Sequence, residues 1–230
     1  MSTLGVMVSK VQRELQEQTA NMFNVGDIKQ ALGDAYGYYS FVMINEGAGW
    51  FATTANLAIV AATETVSFAA LTPPFISLIM VEKNFTTGTK PLRTNQGRWN
   101  FKSSIGVGAG ESYMPEYYIR GLNLVLVPTP VSAEAASTTT GLKVHYNYQP
   151  TLPTGDSADS FSFDANFPLN WERLIVLRAM ITVLRQKDQI GAMSDPDLVY
   201  KELGEWEELL YNSLELDETP ESAEYIGNDY

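Results

Sequence analysis

Apolar residues near the start of the chain recur at the spacing of one helical face. Charged residues separate the members of this stripe, which are Val8, Val11, Leu15 and Met22. The pattern predicts an amphipathic helix from about Val6 to Ala20. Asp27 is the expected N-cap of a second helix, in which apolar residues continue from Ile28 to about Ile44. The short link between the two helices favours an antiparallel pair.

From Trp50 to Val81 the pattern changes to β-branched and aromatic residues, which predicts about three or four strands. Residues 84–114 are rich in Gly, Thr and Asn and are expected to form loops, with a short strand near Arg98 to Phe101. Two more strands are predicted from Tyr117 to Pro128 and from Leu142 to Tyr148. The small and polar residues between these two strands predict a hairpin with an exposed tip.

Helical periodicity returns after a polar connector at residues 151–166. Helices are predicted from about Asn170 to Ile190 and from Pro196 to Asn212, with Asp195 as the N-cap of the last one. The stretch from Leu216 to Tyr230 has no apolar periodicity and predicts an extended tail.

The helix that follows residue 170 is unusually apolar. From Leu174 to Leu184 only Arg178 and Thr182 are polar, so most faces of this helix have to be covered. Either the helix is the centre of the subunit's own core, or a neighbouring copy of the chain buries part of it, and both can hold together. The residues assigned to this core or inter-subunit helix are Trp171, Leu174, Ile175, Leu177, Ile181 and Leu184.

The order of helices, strands and helices predicts an α+β protein in which a β domain interrupts a helical bundle. The bundle is expected to combine an N-terminal helix pair, residues 1–46, with C-terminal helices at residues 167–213. Residues 47–166 would form an inserted antiparallel β-sandwich or barrel-like domain. Residues 214–230 would form an extended acidic C-terminal arm.

The net charge of the chain limits the kinds of partner that it can bind. The chain has 27 acidic and 15 basic residues and a formal net charge of −12, which argues against affinity for phosphate backbones or anionic membranes. From Glu202 onward there are ten acidic residues and no Lys or Arg. This end of the chain is either a solvated terminus or an arm that orders when it binds a basic groove. The anchors proposed for such an arm are Leu214, Leu216, Tyr225, Ile226 and Tyr230.

Targeting signals are not visible in the sequence. The first residues, Met1 to Val8, have neither the basic start nor the long apolar core of a secretion signal, which favours synthesis in the cytoplasm. The weakly charged stretch from Gly47 to Val81 is interrupted by polar residues and by Pro73-Pro74, so no membrane span is predicted.

Residues suited to catalysis are scarce. His145 is the only histidine and cysteine is absent, so neither a Cys/His pair nor a multi-histidine zinc site can form. No nucleophile-elbow motif accompanies His145, and the loop from Gly106 to Gly110 lacks the lysine of a phosphate-binding loop. Paired carboxylates such as Glu207-Glu208 occur in glycosidases but are too abundant here to indicate a site. We therefore expect a protein that is not an enzyme and uses no cofactor or metal.

Three segments carry a family likeness. They are a strand that ends in Leu126-Val127-Pro128-Thr129-Pro130, the strand Val144-His145-Tyr146-Asn147-Tyr148, and a helix that begins Trp171-Glu172-Arg173-Leu174. In this order, after a paired helix opening, they resemble the head-to-tail adaptor proteins of tailed bacteriophages, also called connector or tail-completion proteins. The likeness covers most of the chain and rests on the order of elements. It implies a ring of about twelve copies seated beneath the portal.

The same resemblance implies the partners and the location. The ring would lie in the neck of the virion, bind the portal through the acidic arm, and present a surface to a tail or nozzle protein. Genomic double-stranded DNA would pass through its lumen without specific binding, kept from sticking by the negative charge. The virion protein would be made in the cytoplasm of the host bacterium.

A second function class stays open. In it the chain is a β-rich virion binding module whose Trp- and Tyr-rich β region recognises a host glycan or decorates the capsid. Tyrosines of this region would either line a binding surface or belong to the core. They are Tyr113, Tyr117, Tyr118, Tyr146 and Tyr148.

Overall fold

The computed structural model describes residues 2–15, 23–46, 49–85, 88–94, 115–132, 135–136, 141–186 and 196–217. Within these residues the expectation of an α+β protein is confirmed, with four α-helices and two antiparallel sheets. The chain divides into two compact units, one made of residues 1–51 and 150–230 and the other of residues 52–149. The first unit therefore combines the two ends of the chain and holds the helices, and the second holds the strands.

The helical unit is organised around its third helix. The helices are α1 (Leu4–Glu14), α2 (Val25–Asn45), α3 (Glu172–Gln186) and α4 (Pro196–Asp217). A 3-10 turn, Leu169–Trp171, leads into α3, and α3 packs against α1, α2 and α4. Residues 16–20 and 187–190, which the sequence assigned to helices, lie outside the described residues, as does the expected cap Asp195. The last helix continues beyond the predicted end at Asn212 to Asp217.

The N-cap predicted for the second helix is wrong. Asn24 is the cap: its side chain accepts a hydrogen bond from the amide of Gly26 at 2.9 Å, and its backbone is extended. Asp27 lies in the first turn instead, where its negative charge is favourable at the positive end of the helix dipole. Asparagine and aspartate are about equally good caps, so the residue type alone did not separate the two positions.

The polar connector, residues 151–166, packs in the helical unit and not in the β domain to which the sequence analysis assigned it. Leu4 and Gly5 at the start of α1 donate backbone hydrogen bonds to the carbonyls of Phe161 and Asp159, each at 2.9 Å. These bonds satisfy backbone groups of a segment without regular structure, which allows it to lie against the helices.

Side chains fix the same connector against α2. The ring centroid of Tyr36 lies 5.0 Å from that of Phe163 and 5.2 Å from that of Phe167. At Gly33 the backbone of α2 comes so close to the connector that a Cβ atom would overlap the carbonyl oxygen of Pro153. The connector is therefore part of the helical core, and Gly33 is required for its approach.

The second unit contains two open sheets. In chain order the strands are β1 (Ala52–Leu57), β2 (Thr65–Ser67), β3 (Phe75–Phe85), β4 (Gly88–Pro91), β5 (Glu116–Arg120), β6 (Asn123–Val127) and β7 (Leu142–Tyr148). One sheet has the order β1-β7-β3-β4 and the other has the order β2-β6-β5, and every described pairing between these strands is antiparallel.

The strand predicted from Tyr117 to Pro128 is two strands. β5 and β6 pair with each other, and the chain turns between them at Gly121, whose φ of +60° favours glycine. The hairpin predicted between this segment and residues 142–148 is also wrong, because β7 pairs with β1 and β3 in the other sheet. Gly121 indicated this turn, but the apolar residues on both sides of it made the segment resemble one continuous strand.

The two faces of the four-stranded sheet differ in chemistry. Val81, Val144 and Tyr146 are buried on one face, where the ring of Tyr146 lies 5.9 Å from that of Phe75, and Phe75 lies 4.6 Å from Phe68. The strand register places Glu82 opposite Lys143, and these residues alternate with the apolar ones. The sheet therefore presents a polar face opposite its apolar core.

Candidate functional site

The six residues assigned to the core or inter-subunit helix are all buried by the chain itself. Trp171, which precedes α3, packs edge-on against Trp206 of α4, with ring centroids 6.3 Å apart. Leu174, Ile175, Leu177, Ile181 and Leu184 lie on α3 and are buried. Because α1, α2 and α4 all contact α3, the burial of this helix does not need a neighbouring copy.

The residues assigned to the docking arm are divided by the end of α4. Leu214 lies inside α4 and is only 2% exposed, so it is a core residue of the helical unit and not a free anchor. Leu216 lies in the same helix. Tyr225, Ile226 and Tyr230 lie outside the described residues. Two of the five assigned anchors, Leu214 and Leu216, therefore belong to α4.

An ion pair joins the start of the chain to α3. Lys10 Nζ donates to Oε2 of Glu172 at 2.6 Å, and the amide of Ser2 donates to Oε1 at 2.5 Å. Burial acts to raise the pKa of Glu172, but the hydrogen bonds from Lys10 and Ser2 outweigh it and hold the pKa below its usual range. This carboxylate is therefore a structural anchor for α1.

Arg173 connects three helices. Its Nη1 donates to Glu14 of α1 at 2.6 Å, and its Nε and Nη2 donate to the two carboxylate oxygens of Glu202 on α4 at 2.7 and 3.0 Å. The forked contact with Glu202 is the geometry in which a guanidinium binds a carboxylate most strongly. The hydrogen bond from Arg173 lowers the pKa of Glu202.

Arg178 is the single basic residue within the apolar part of α3, and it forms a second cluster of contacts. Its Nη1 donates to Oε1 of Glu207 at 3.2 Å, and its guanidinium carbon lies 3.6 Å from the ring centroid of Tyr38. Tyr39 donates its hydroxyl to the same carboxylate oxygen at 2.7 Å. Burial raises the pKa of Tyr39 strongly, and the hydrogen bond to Glu207 raises it further. These contacts join α2, α3 and α4.

An aromatic patch lies on the surface above this cluster. It consists of Tyr38 and Phe41 of α2 and Tyr211 of α4, which are 39, 56 and 39% exposed. A hydrogen bond between the phenols of Tyr38 and Tyr211 raises the pKa of Tyr211, and Phe41 follows Tyr38 by one helical turn on the same face. Three exposed aromatic rings beside an arginine have the composition of a protein–protein contact.

A groove with a volume of about 590 Å³ lies along α1 in the same unit. We call it the α1 groove. It combines an exposed apolar side chain, Val6, with the basic residues Lys10 and Arg13. Its lining also includes Thr3, Ser9 and Asp159. The groove is therefore partly apolar and carries more basic than acidic side chains.

The only histidine lies on the polar face of the four-stranded sheet. His145 Nε2 lies 2.8 Å from Oε2 of Glu82, Lys143 Nζ lies 3.7 Å from the same oxygen, and Thr89 donates to Oε1 at 3.1 Å. The hydrogen bond with His145 is the largest of the contacts that lower the pKa of Glu82. His145 is therefore a structural partner of a carboxylate, in a strand where the sequence predicted it.

Buried amides extend this polar face. Asn84 donates to the side-chain oxygen of Asn56 at 3.2 Å, and Asn147 donates to Ser77 at 3.0 Å. Asn147 Oδ1 is buried and has no hydrogen-bond partner among the described residues. On the opposite face Lys83 is buried, and burial lowers its pKa. The sequence around Lys83, Asn84 and Asn147 has no pattern that predicts their burial.

The tyrosines considered for a binding surface are mostly core residues. Tyr117, Tyr146 and Tyr148 are buried, and Tyr118 is half-buried. Tyr113 lies outside the described residues, as does the loop from Gly106 to Gly110. Among the described residues, the exposed aromatic rings lie instead on the helical unit. The sequence signal for them was the position of Phe41, on the face of α2 opposite the apolar stripe.

Neither a metal site nor a membrane-spanning helix is present among the described residues. No group of three or more His, Asp or Glu side chains is arranged to hold a metal ion in the part of the chain that the structure describes. Among the same residues, no helix combines the length and the apolar character needed to cross a membrane.

The sequence was compared with protein-family models and with curated proteins, and neither comparison gives a match.

Proposed function

We propose that this protein is a head-to-tail adaptor of a tailed bacteriophage, a non-enzymatic subunit of a ring beneath the portal. The ring, of about twelve copies, would link capsid and tail and form part of the channel for DNA retention and ejection. This function was expected from the resemblance of the sequence, and the surface of the helical unit supports it.

One observation carries the proposal. The helical unit already buries its apolar helix α3, yet it presents the aromatic patch to solvent. Aromatic rings are enriched at protein–protein contacts and depleted on surfaces that face only water. A subunit that assembles side by side with its copies needs a surface of this kind on a core that is complete without them.

The architecture fits the same role. We infer that α1 to α4 form one bundle made from both chain ends and that the two sheets form a sandwich inserted between α2 and α3. In such a subunit the bundle can serve assembly while the β unit presents loops to a second partner. The tail or nozzle protein is the partner expected for that surface.

Charge supports a passive channel. At −12 per subunit, a ring carries a large negative charge, and any part of it that faces the lumen repels the phosphates of DNA. DNA would then move through the ring without being held. Solubility of the free subunit is a second use of the same charge.

The acidic segment after α4 is the proposed portal-docking arm. Residues 218–230 contain Tyr225, Ile226 and Tyr230 among carboxylates and have no basic residue, which suits a basic groove on the portal. Deleting residues 218–230 is expected to abolish portal binding, measured by co-sedimentation, and to leave the fold intact. Portal binding by the truncated protein at the strength of the full chain would exclude the arm.

The alternative, a glycan-binding or capsid-decorating β module, has less support. Such a module uses exposed aromatic rings, whereas Tyr117, Tyr146 and Tyr148 of the β unit are buried. Glycan-array binding by the full chain, together with no affinity for the portal, would favour the alternative.

Light scattering and electron microscopy of the purified protein, alone and mixed with its portal, test the adaptor proposal. The expected result is a closed ring of about twelve copies that binds the portal coaxially. A protein that stays monomeric in both conditions is not a ring adaptor.

A further inference from the structure

We propose that the aromatic patch of one subunit binds the α1 groove of the next, which makes this contact the interface between neighbouring copies. The inference rests on the proposed ring, and it assigns the ring two specific surfaces of the helical unit. In this interface Phe41 enters the α1 groove beside Val6.

The aromatic patch combines an exposed phenyl ring with acidic neighbours of Tyr211. Phe41 is the most exposed of its three rings. Glu207 and Glu46 both lie near enough to Tyr211 to affect its pKa. Arg178 is the one basic group at the base of the patch, beneath Tyr38. Because Glu207 is bonded to Arg178 at 3.2 Å, the patch presents a phenyl ring with Glu46 as its further acidic group.

The α1 groove has the opposite features. It is a shallow groove in which Val6 is an exposed apolar side chain. Lys10 pairs with Glu172 at 2.6 Å and Asp159 pairs with Lys29 at 2.8 Å, which leaves Arg13 as the basic side chain of the lining outside these two pairs. A phenyl ring can pack against Val6 while a basic side chain lies over its face, since cations are attracted to aromatic faces. Arg13 of the groove and Glu46 beside the patch are thus opposite in charge, and complementary charge fixes which surfaces meet.

A second copy of this chain is the occupant that the two surfaces indicate. The patch is formed by α2 and α4, and the groove by α1 and the connector, so a contact between them joins unlike surfaces of identical chains. Such a heterologous contact leaves a free patch at one end of a dimer and a free groove at the other. Further copies can therefore add until the ring closes.

The first test is a pair of matched alanine variants. Phe41→Ala removes the ring that enters the groove, while Leu209→Ala removes a side chain of nearly equal exposure, 55%, on α4 outside the patch. Both should keep the thermal unfolding midpoint of the wild type. Phe41→Ala should raise the protein concentration at half-assembly about tenfold or more, as expected for a central aromatic contact, and Leu209→Ala should change it by less than about twofold.

The second test uses the absence of cysteine in the chain. Ser9→Cys places a thiol in the α1 groove, and Asn45→Cys places one on α2 a turn beyond Phe41. A short bismaleimide should join the two variants when they are mixed and should join neither to itself. The double variant should give a ladder of oligomers that ends in a covalent ring.

Each outcome is decisive. Links between two copies of the Asn45→Cys variant would mean that patches pair face to face, and they would overturn the interface. Rings that form with no link between positions 9 and 45, and that survive Phe41→Ala, would overturn this interface and leave the adaptor proposal in place. A protein that remains monomeric at every concentration, alone and with portal, would overturn both.

Discussion

The hydroxyl of Tyr39 donates a 2.7 Å hydrogen bond to Oε1 of Glu207, which joins α2 near the start of the chain to α4 near its end. The same oxygen accepts a hydrogen bond from Arg178 at 3.2 Å. Because burial and the bond to Glu207 raise the pKa of Tyr39, the phenol remains a proton donor under physiological conditions. One carboxylate thus connects two helices from opposite ends of the sequence through the helix that lies between them.

Tyr39→Phe should destabilise the protein by about 1–2 kcal/mol, because the partly buried carboxylate of Glu207 loses a hydrogen-bond donor and gains none in its place. The loss is measured as a lower midpoint in urea unfolding. Tyr200→Phe is the matched control, since its hydroxyl accepts a longer, exposed bond from Arg185 at 3.3 Å. Equal midpoints for the two variants would contradict a structural role for the Tyr39 hydroxyl.

Two glycines of helices α2 and α4 should respond in opposite directions to alanine. Gly33→Ala should cost about 1–3 kcal/mol, because the new methyl group overlaps the carbonyl of Pro153. Gly204 has open space where its Cβ would lie, so Gly204→Ala should stabilise α4 by about 1 kcal/mol. Thermal unfolding of both variants under dilute conditions checks the signs. A stabilising Gly33→Ala would mean that the connector does not pack on α2 as described.

The helices were easier to predict than their contacts. Periodic apolar residues are local information, so α3 could be located and its burial anticipated from Leu174 to Leu184. The partner of Arg178 could not be found in this way, because Glu207 is one of many acidic residues and only folding brings it close. A basic residue in a buried helix does signal that an acidic partner exists.

The strand pairing and the connector depended on non-local contacts. Gly121 ends one strand and starts another, yet the residues around it are apolar enough to look continuous. The connector lies against α2 because Gly33 allows it to, and Phe163 was an apolar residue in this polar segment that could have indicated the packing. The aromatic patch was missed for a different reason: Phe41 lies on the face of α2 opposite the stripe of Ile28, Leu32 and Tyr39, and this position already indicated that the ring is exposed.

Leu214 should behave as a core residue and the segment after it should not. Leu214→Ala is expected to cost about 2–5 kcal/mol, because a buried leucine leaves a cavity. Truncation after Asp217 removes residues 218–230 and should change the free energy of unfolding by less than about 0.5 kcal/mol. Urea unfolding of the two variants separates these roles. If Leu214→Ala left the free energy of unfolding unchanged, Leu214 would not be a core residue and could serve as an anchor of the arm.

The carboxylate of Glu82 should make stability depend on pH. Since its hydrogen bond with His145 lowers its pKa in the folded protein, the ionised form stabilises the fold at pH values above the unfolded carboxyl pKa of about 4.3. This stability is lost as the pH falls through the lower, folded pKa. Glu82→Gln should therefore be less stable than the wild type near pH 6 and approach it in acid. A difference that does not change with pH would exclude this linkage.

Arg173 should be costly to replace, because it bonds to α1 and α4 at once. Arg173→Met removes the forked bond to Glu202 and the 2.6 Å bond to Glu14, and it leaves two carboxylates without their cation. Lysine cannot reproduce the fork, so Arg173→Lys should recover only part of the loss.

A double-mutant cycle of Arg173 with Glu202→Gln should give a coupling energy of about 1 kcal/mol that decreases at high salt, since both side chains are partly exposed. The cycle with Glu14→Gln should give a smaller coupling energy, because Arg173 makes only one hydrogen bond to Glu14. A coupling of zero with Glu202 would mean that this ion pair does not help to hold α3 against α4.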